Sequence, residues 1–314
     1  MNPSFSPKLA WHVLNNDLGR RQFDLLSNST TGLANLNGTM IGQIVVPVPP
    51  LPEQTQIAAF LDRETAKIDE LVAEQRRLME LLKEKRQAVI SHAVTKGLNP
   101  DAPMKPSGIE WLGDVPAHWE VSPLKRFAEI IDCKHFTVEF LDEGFPIVSI
   151  RELRNDQIDL CNAKLTSRRE WDFLREGRTP QRGDMIFCRN ASVGAVGYVG
   201  FDDPFCMGQD VCLIRPNVAS PFMHYQLTSS LVRCQIEAFL VGATIRRANV
   251  EEIRGLVVVN PPADEQQSIA CFLDHSTAKL DSLTAEALHA IDLLQERRTA
   301  LISAAVTGQI DVRR

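Results

Sequence analysis

A long segment of this chain occurs twice. Residues 49–69, PPLPEQTQIAAFLDRETAKID, return as residues 261–281, PPADEQQSIACFLDHSTAKLD, and 13 of the 21 aligned positions are identical. The likeness continues downstream, where AVISHAVTKG at 88–97 corresponds to ALISAAVTGQ at 300–309. Solenoid repeats span about 20–50 residues, and these copies lie much farther apart. The chain therefore contains a duplicated module rather than a repeat array.

Each copy predicts one long helix. In the first copy, Pro52 and Glu53 suit the first helical turn, and Gly97 favours a helix end. The predicted helix covers residues 52–95. The second copy has Asp264 as a candidate cap at its beginning and a glycine near its end.

The apolar positions of both helices follow the spacing of a coiled coil. In the first copy they alternate in steps of four and three from Ile57 to His92, through Leu71 and Leu78, with polar interruptions. This spacing is typical of a coiled-coil seam. Helices of this length need a partner, so we expect the two to pair antiparallel. The alternative is that each helix packs on its own globular domain.

The duplication extends upstream more weakly. Residues 35–50, NLNGTMIGQIVVPVPP, correspond to residues 248–262, and residues 6–16, SPKLAWHVLNN, to residues 220–230, SPFMHYQLTSS, at a spacing of 214. This pattern predicts a helix around residues 7–26 and a strand around residues 41–48.

The segment between the two helices has the pattern of a sheet domain. Short apolar runs at 146–150, 184–188 and 211–216 are separated by Gly, Asp, Asn and Pro, which favours strands and turns. A helix is predicted at 221–240. The expected fold class is α+β, with one complete sheet domain, two long helices in an antiparallel coiled coil, and an N-terminal remnant of a second sheet domain.

Motifs for catalysis and cofactor binding are lacking. Asn-Pro-Pro at 260–262 resembles an amino-methyltransferase motif, but Ala263 stands where that motif needs an aromatic residue. The glycines at 194–200 do not follow the dinucleotide-binding order, and the seven histidines show no metal-ligand spacing. We expect no catalytic residues, no cofactor and no metal, and we interpret the seven scattered cysteines as buried free thiols.

Basic and polar side chains in the loops of the sheet domain are the candidate binding residues. Arg can read guanine, Asn can read adenine, and Lys or Ser can hold phosphate. The alternative for each residue is a solvated surface of mixed charge, because the net charge of the whole chain is -6. The candidates for DNA binding are Lys134, His135, Arg151, Arg154, Arg189, Asn190, Ser192, Arg246 and Arg247.

The sequence predicts a cytoplasmic protein. No apolar run approaches the roughly 18 residues of a spanning helix, and the first residues lack the charged-then-apolar pattern of a signal peptide.

Two motifs resemble those of one known family. The first is SGIEWLGDVPAHWEVSPLKR at 107–126. The second is GLVVVNPPADEQQSIACFLD at 255–274, which leads into a long helix and is partly duplicated. Both are similar to the DNA specificity subunit of Type I restriction-modification systems. The resemblance covers essentially the whole chain.

The resemblance implies a non-catalytic protein. Two target-recognition domains would each read half of a split DNA sequence, and two antiparallel helices would set the spacing and dock methyltransferase (modification) subunits. Methylation and cleavage would belong to those partners and to the restriction subunit reached through them. The alternative function is an assembly scaffold, or a defective truncated paralogue, that binds partner subunits without reading DNA.

The chain departs from the family pattern at its beginning. Residues 1–48 match the end of a first recognition domain, residues 49–98 the first helix, residues 99–260 a complete recognition domain and residues 261–314 the second helix. About a hundred residues of the first domain are expected to be missing. Such a chain would read one half-site, and a homodimer or pairing with another specificity chain would restore the second.

Overall fold

The computed structural model describes residues 5–26, 37–154, 156–240 and 247–312. These residues form two compact units. Unit 1 combines Met1–Lys83 with Asp281–Arg314, and unit 2 is Glu84–Leu280. The helices are α1 Pro7–Leu14, α2 Asp17–Leu26, α3 Gly38–Ile41, α4 Leu51–Lys96, α5 Arg168–Arg175, α6 Ser220–Thr228, α7 Ser230–Leu240, α8 Val250–Arg254 and α9 Ala263–Val306.

The strands among the described residues all lie in unit 2. They are β1 Met104–Pro106, β2 Asp114–Pro116, β3 Glu120–Pro123, β4 Ala128–Asp132, β5 Phe145–Val148, β6 Leu153–Arg154, β7 Gln157–Ile158, β8 Lys164–Thr166, β9 Met185–Cys188, β10 Val196–Tyr198, β11 Cys206–Met207, β12 Val211–Pro216 and β13 Val257–Asn260. The main sheet has the order β4-β12-β9-β10-β7-β6. A three-stranded sheet, β11-β5-β8, and the pairs β1-β2 and β13-β3 complete the described strands.

The main sheet is buried on both faces. Side chains of successive strand residues point to opposite faces. Met185 and Phe187 of β9 pack with the helices α6, α7 and α8 on one side. Ile186 between them packs with Val148 and Met207 of the three-stranded sheet on the other. This explains why all four residues of β9 are buried.

The two long helices are antiparallel in each unit. In unit 1, Ile57 packs with Ile302, and Ile68, farther along α4, packs with Ile291, earlier in α9. Asp69 and Arg298 form an ion pair of 2.9 Å. In unit 2, α4 residues 90–94 share a core with α9 residues 269–273. The predicted α+β class with an antiparallel helix pair is confirmed.

The middle of the predicted seam is shifted by one residue. Leu71 and Leu78 were expected at the helix contact, but both are exposed. Val72 and Met79 lie there instead. An α-helix has 3.6 residues per turn, so a strict 3.5-residue spacing drifts around it by about 20° per heptad.

The duplication includes hydrogen bonds as well as sequence. The backbone N–H of Ser6 donates to Gln54 Oε1 at 2.7 Å, and that of Ala219 donates to Gln266 Oε1 at 2.9 Å. Asn37 and Asn249 cap α3 and α8 by the same bond, each 2.9 Å long. Ser6 and Ala219 are 213 residues apart. The alignment of residues 6–16 at a spacing of 214 was therefore off by one.

The predicted strand at 41–48 is wrong, and the helix at 7–26 is divided. Residues 38–41 are the short helix α3, and residues 43–50 have no strand pairing. Their duplicate, β13, is a strand because β3 pairs with it, and unit 1 provides no such partner among its described residues. The segment 7–26 forms α1 and α2, which are separated at residues 15–16.

The cysteines are free, but three of them are not buried. Cys133, Cys188, Cys206 and Cys212 are buried, whereas Cys161, Cys234 and Cys271 are exposed. Burial raises the pKa of the Cys206 thiol to about 12. No helix in the described residues has the length and apolarity needed to cross a bilayer.

Thiol labelling is expected to separate these two groups. Because the thiolate is the reactive form, the exposed Cys161, Cys234 and Cys271 should react with a disulfide reagent at neutral pH. The four buried thiols should react only after denaturant is added. The measurement is the number of thiols released per chain before and after unfolding. Four or more fast thiols in the native chain would contradict this burial.

Candidate nucleic-acid interface

Three strands of the main sheet bring separate loops to one end. Strand β12 is antiparallel to both β4 and β9, and its register pairs Cys212 with Asp132 and Val211 with Cys188. The ends of β4 and β9 therefore lie beside the beginning of β12. We call this the sheet end. Residues 133–135, 189–192 and 210 leave from it, and Arg247 joins it through a bridge to Asn190.

Arg189 is buried at the sheet end and has a structural partner. Its side chain is 3% exposed, and its guanidinium forms an ion pair with Asp132. Its backbone N–H donates to the carbonyl of Asp210, and its carbonyl accepts from the N–H of Ala248, both at 2.8 Å. Arg189 thus ties together four segments of chain. In this conformation it does not present donors to a base edge.

Asn190 and Ser192 lie on the turn that follows. Ala191 between them has a positive φ of 57°, and its N–H donates to Asn190 Oδ1 at 2.9 Å. The Cys188 thiol donates to the carbonyl of Asn190 at 2.9 Å, and burial raises the pKa of that thiol. Ser192 is exposed, and Asn190 is half-buried.

Arg247 and His135 present exposed side chains at the sheet end. The side chain of Arg247 is 46% exposed and lies 3.9 Å from Asp210. That of His135 is 58% exposed and lies 3.5 Å from Asp132. An exposed ion pair such as Arg247–Asp210 contributes about 0–1 kcal/mol, so a phosphate can replace that carboxylate at low cost.

Lys134 is directed away from solvent. Its ammonium donates to the carbonyl of Phe173 at 2.6 Å and to Glu176 at 2.9 Å. It also lies 3.8 Å from the centroid of the Phe173 ring. The Lys134 hydrogen bonds lower the pKa of Glu176. These contacts hold Lys134 at the last turn of α5.

Arg154 is not brought to the sheet end, and Arg151 lies on the short 3₁₀ turn Ile150–Glu152 that precedes β6. Arg154 lies on β6, at the far edge of the main sheet, where it pairs with Gln157. Gln157 in turn pairs with Tyr198, which is opposite Met185 at the other end of β9 from Cys188. Both arginines are exposed. Arg246 lies outside the described residues.

The acidic and aromatic side chains of this region are not among the residues that the sequence predicts for the site. Asp132 pairs with Arg189, and Asp210 pairs with Arg247. An aspartate at the end of an apolar strand is visible in the sequence and could have indicated such a partner. Phe136, next to His135, is exposed and packs edge to face on Phe173 with ring centroids 5.3 Å apart. Exposed aromatic rings beside cationic groups are suited to stacking on nucleic-acid bases.

Asp132, Cys133 and His135 form a group of possible metal ligands. Their donor atoms lie within 4.8 Å of one another. Asp132 already pairs with the Arg189 guanidinium, which would repel a cation. Burial also raises the pKa of the Cys133 thiol, and this disfavours the thiolate that a metal binds. The group fits an ion-pair network better than a metal centre.

Comparisons with known proteins agree on one family. The sequence profile described as Type I restriction modification DNA specificity domain matches residues 13–80 and 116–292. The EcoKI specificity subunit of Escherichia coli K12 is 24% identical over 95% of this chain, and the EcoBI specificity subunit of Escherichia coli is 21% identical over 90%. The matched regions cover 64% and 62% of those relatives. The chain thus spans less than two thirds of their length.

Solved structures show the same fold. One is a chain from a structure that describes the complex assembly and conformational transition of the type I R-M system. It matches with a TM-score of 0.76 and 17% sequence identity, and the match covers 98% of this chain and 72% of that chain. The HsdS subunit from Thermoanaerobacter tengcongensis matches with a TM-score of 0.50, 16% identity and the same coverages.

Proposed function

The chain belongs to the family of Type I restriction-modification DNA specificity domains, and we propose that it is a non-catalytic subunit reading one half of a two-part DNA target. The observation that carries this proposal is the strand register of the main sheet. That register brings His135, Asn190, Ser192 and Arg247 from separate loops to one end of the sheet. Proteins that read DNA present basic and polar side chains of this kind to base edges and phosphates.

The sheet end divides into supporting and contacting residues. Arg189 and Asp132 fix the loops because the buried Arg189 guanidinium pairs with the Asp132 carboxylate. Arg247, His135 and Ser192 are the proposed contacts because their side chains are exposed. Lys134 is a positioning residue for α5 under this proposal.

The long helices are proposed to dock methyltransferase subunits. In unit 1 they expose leucines that the helix pair does not use, and exposed apolar surface on a folded protein favours partner binding. Methylation and DNA cleavage would take place in those partners, in the cytoplasm. The exposed leucines are Leu71, Leu78, Leu81, Leu283, Leu288 and Leu293.

Charge removal at the sheet end tests the DNA contact. Arg247→Gln should weaken binding to duplex DNA about five- to tenfold at low salt, because one phosphate contact is lost. Arg182→Gln is the matched control. Arg182 is also exposed and paired, with Asp202 at 3.1 Å, but it precedes β9 and so lies at the other end of the sheet.

The measurement is the dissociation constant over a salt series. The slope of log affinity against log salt should fall by about one for Arg247→Gln and stay unchanged for Arg182→Gln. Equal losses for both variants would show that binding does not use the sheet end. Unchanged binding in both would show that Arg247 makes no phosphate contact, which contradicts its proposed role.

A further inference from the structure

The loop of residues 133–138 leaves the sheet end and is anchored at both of its ends. Cys133, directly after β4, is buried. Val138 is buried as well and shares a core with Trp171 of α5. The exposed residues between these two anchors are His135, Phe136 and Thr137. The loop therefore presents only a short tip to solvent.

Two hydrogen bonds fix the backbone on either side of this tip. The N–H of Phe136 donates to the carbonyl of Lys134 at 2.8 Å, which closes a three-residue turn. The hydroxyl of Thr137 accepts a hydrogen bond of 3.0 Å from the Gln209 amide, and Gln209 directly precedes Asp210 of the sheet end. The Phe136 ring is thus carried by a short segment that is held before and after it.

The Phe173 ring supports the Phe136 ring from one side. The two ring centroids are 5.3 Å apart and the planes meet at 71°, an edge-to-face arrangement that aromatic pairs prefer. Phe173 is itself held, because the Lys134 ammonium lies 3.8 Å from its ring centroid and donates to its carbonyl. Phe136 remains 41% exposed. Its ring is therefore positioned by its neighbours while part of it stays open to a ligand.

The charged groups around the two rings suit an anionic polymer. Lys134 lies over the Phe173 ring, and the exposed Arg169 lies one helical turn before Phe173 on the same face of α5. The exposed acids at α5 are already paired with cations, Asp172 with Arg168 and Glu176 with Lys134. Because the tip also continues directly from the sheet end, these observations favour DNA over a protein partner as the ligand of the rings.

We infer that Phe136 is a wedge that enters one base step of the bound duplex beside the half-site. The inference rests on the proposed function, because it requires that the sheet end lies on DNA. Apolar side chains such as Phe and Leu partly unstack a base step and kink the duplex. Pyrimidine–purine steps unstack most easily. Phe136 therefore determines specificity by the ease with which a step is deformed, and not by a hydrogen bond to a base edge.

Selection from duplexes with a random central segment tests the wedge. The full chain is mixed with methyltransferase subunits, and the bound duplexes are sequenced. The native chain should enrich one pyrimidine–purine step at a constant distance from the half-site. Phe136→Ala should lower that preference about five- to tenfold, in the range of one changed base pair, and keep the other enriched positions. Phe136→Leu should retain the step, because leucine also acts as a wedge.

A fluorescent base reports the unstacking directly. 2-Aminopurine at the selected step becomes brighter when it loses its stacked neighbour, so the native chain should raise its fluorescence and Phe136→Ala should not. Phe140→Ala is the matched control. Phe140 is an exposed ring of the same segment, with the Lys164 ammonium 3.7 Å from its centroid, but it lies beyond the buried Val138. This variant should keep both the fluorescence change and the step preference.

The salt dependence separates a lost wedge from a damaged sheet end. Phe136→Ala keeps Arg247, so its slope of log affinity against log salt should equal that of the native chain. A smaller slope would show that Phe136 supports the loops and is not a wedge.

Three further outcomes would overturn the inference. An unchanged step preference in Phe136→Ala, beside a half-site that the native chain selects, would remove the wedge and leave the proposed function standing. Absence of any selected half-site would remove both. Weaker binding of Phe136→Ala to the methyltransferase subunits without DNA would assign the rings to a protein partner.

Discussion

Trp119→Ala is expected to lower the free energy of unfolding of unit 2 by about 3–5 kcal/mol, the usual range for a buried tryptophan. The side chain is 1% exposed and shares a core with Ile90, Val259 and Ile269. Its removal leaves a cavity between the end of α4 and the beginning of α9. It also removes the indole donor from Glu265.

The measurement is a denaturant titration followed by a signal from unit 2. Trp111→Ala is the matched control, because Trp111 belongs to the same segment of chain but is exposed. It should change the free energy of unfolding by less than about 0.5 kcal/mol. Similar losses in both variants would show that the Trp119 site does not hold the helix ends together.

Arg189→Ala is expected to destabilise unit 2 by about 2–3 kcal/mol. Removing one partner of a buried ion pair costs about 3–5 kcal/mol, and the partial exposure of Asp132 reduces this cost. The loss should appear without DNA, because Arg189 supports the loops of the sheet end. Arg182→Ala, which breaks a fully exposed pair with Asp202, should leave the stability of unit 2 nearly unchanged.

A double variant separates the two roles of Arg189. Removing Asp132 as well leaves no uncompensated charge, so Arg189→Ala with Asp132→Ala should recover part of the lost stability. If Arg189 instead contacted bases directly, Arg189→Ala would keep its stability and lose DNA affinity. That result would contradict the supporting role.

The long helices were predictable from sequence almost to their ends. The expected helix at 52–95 is Leu51–Lys96 in the structure, because Pro52 and Gly97 act locally on the backbone. The fine position of the seam was not predictable from spacing alone. Leu71 and Leu78 match the heptad pattern, but the drift of a straight helix brings Val72 and Met79 into the contact instead.

The strand predicted at 41–48 does not form, although its sequence is similar to that of a segment that does form a strand. Its residues resemble those of β13, yet a strand requires a neighbour, and β13 obtains its neighbour from Glu120–Pro123. The local sequence pattern indicates the strand propensity of a segment, but it does not show whether a neighbouring strand is present. The Gln22 side chain bonds the backbone of Val45, as that of Gln235 bonds the backbone of β13, so the rest of the local geometry is retained.

The sequence selected basic and polar loop residues of the sheet domain, but it did not predict which of them meet at the sheet end or what each of them contacts. Loop position and side-chain chemistry selected Arg189 and Arg247 equally. The structure separates them because the Arg189 side chain is buried and pairs with Asp132, whereas the Arg247 side chain remains exposed. Lys134 was selected as a phosphate ligand, but the Phe173 carbonyl lies within its reach. Such partners come from distant parts of the sequence.

Selection from random-sequence duplexes most directly tests the proposal that this chain reads DNA. The full chain would be mixed with methyltransferase subunits, and bound duplexes would be sequenced at several salt concentrations. The proposal predicts one enriched half-site that persists at raised salt, because base contacts depend less on salt than phosphate contacts do. Enrichment at that half-site should fall for Arg247→Gln and not for Arg182→Gln. Binding without any enriched sequence, lost steeply as salt rises, would contradict it.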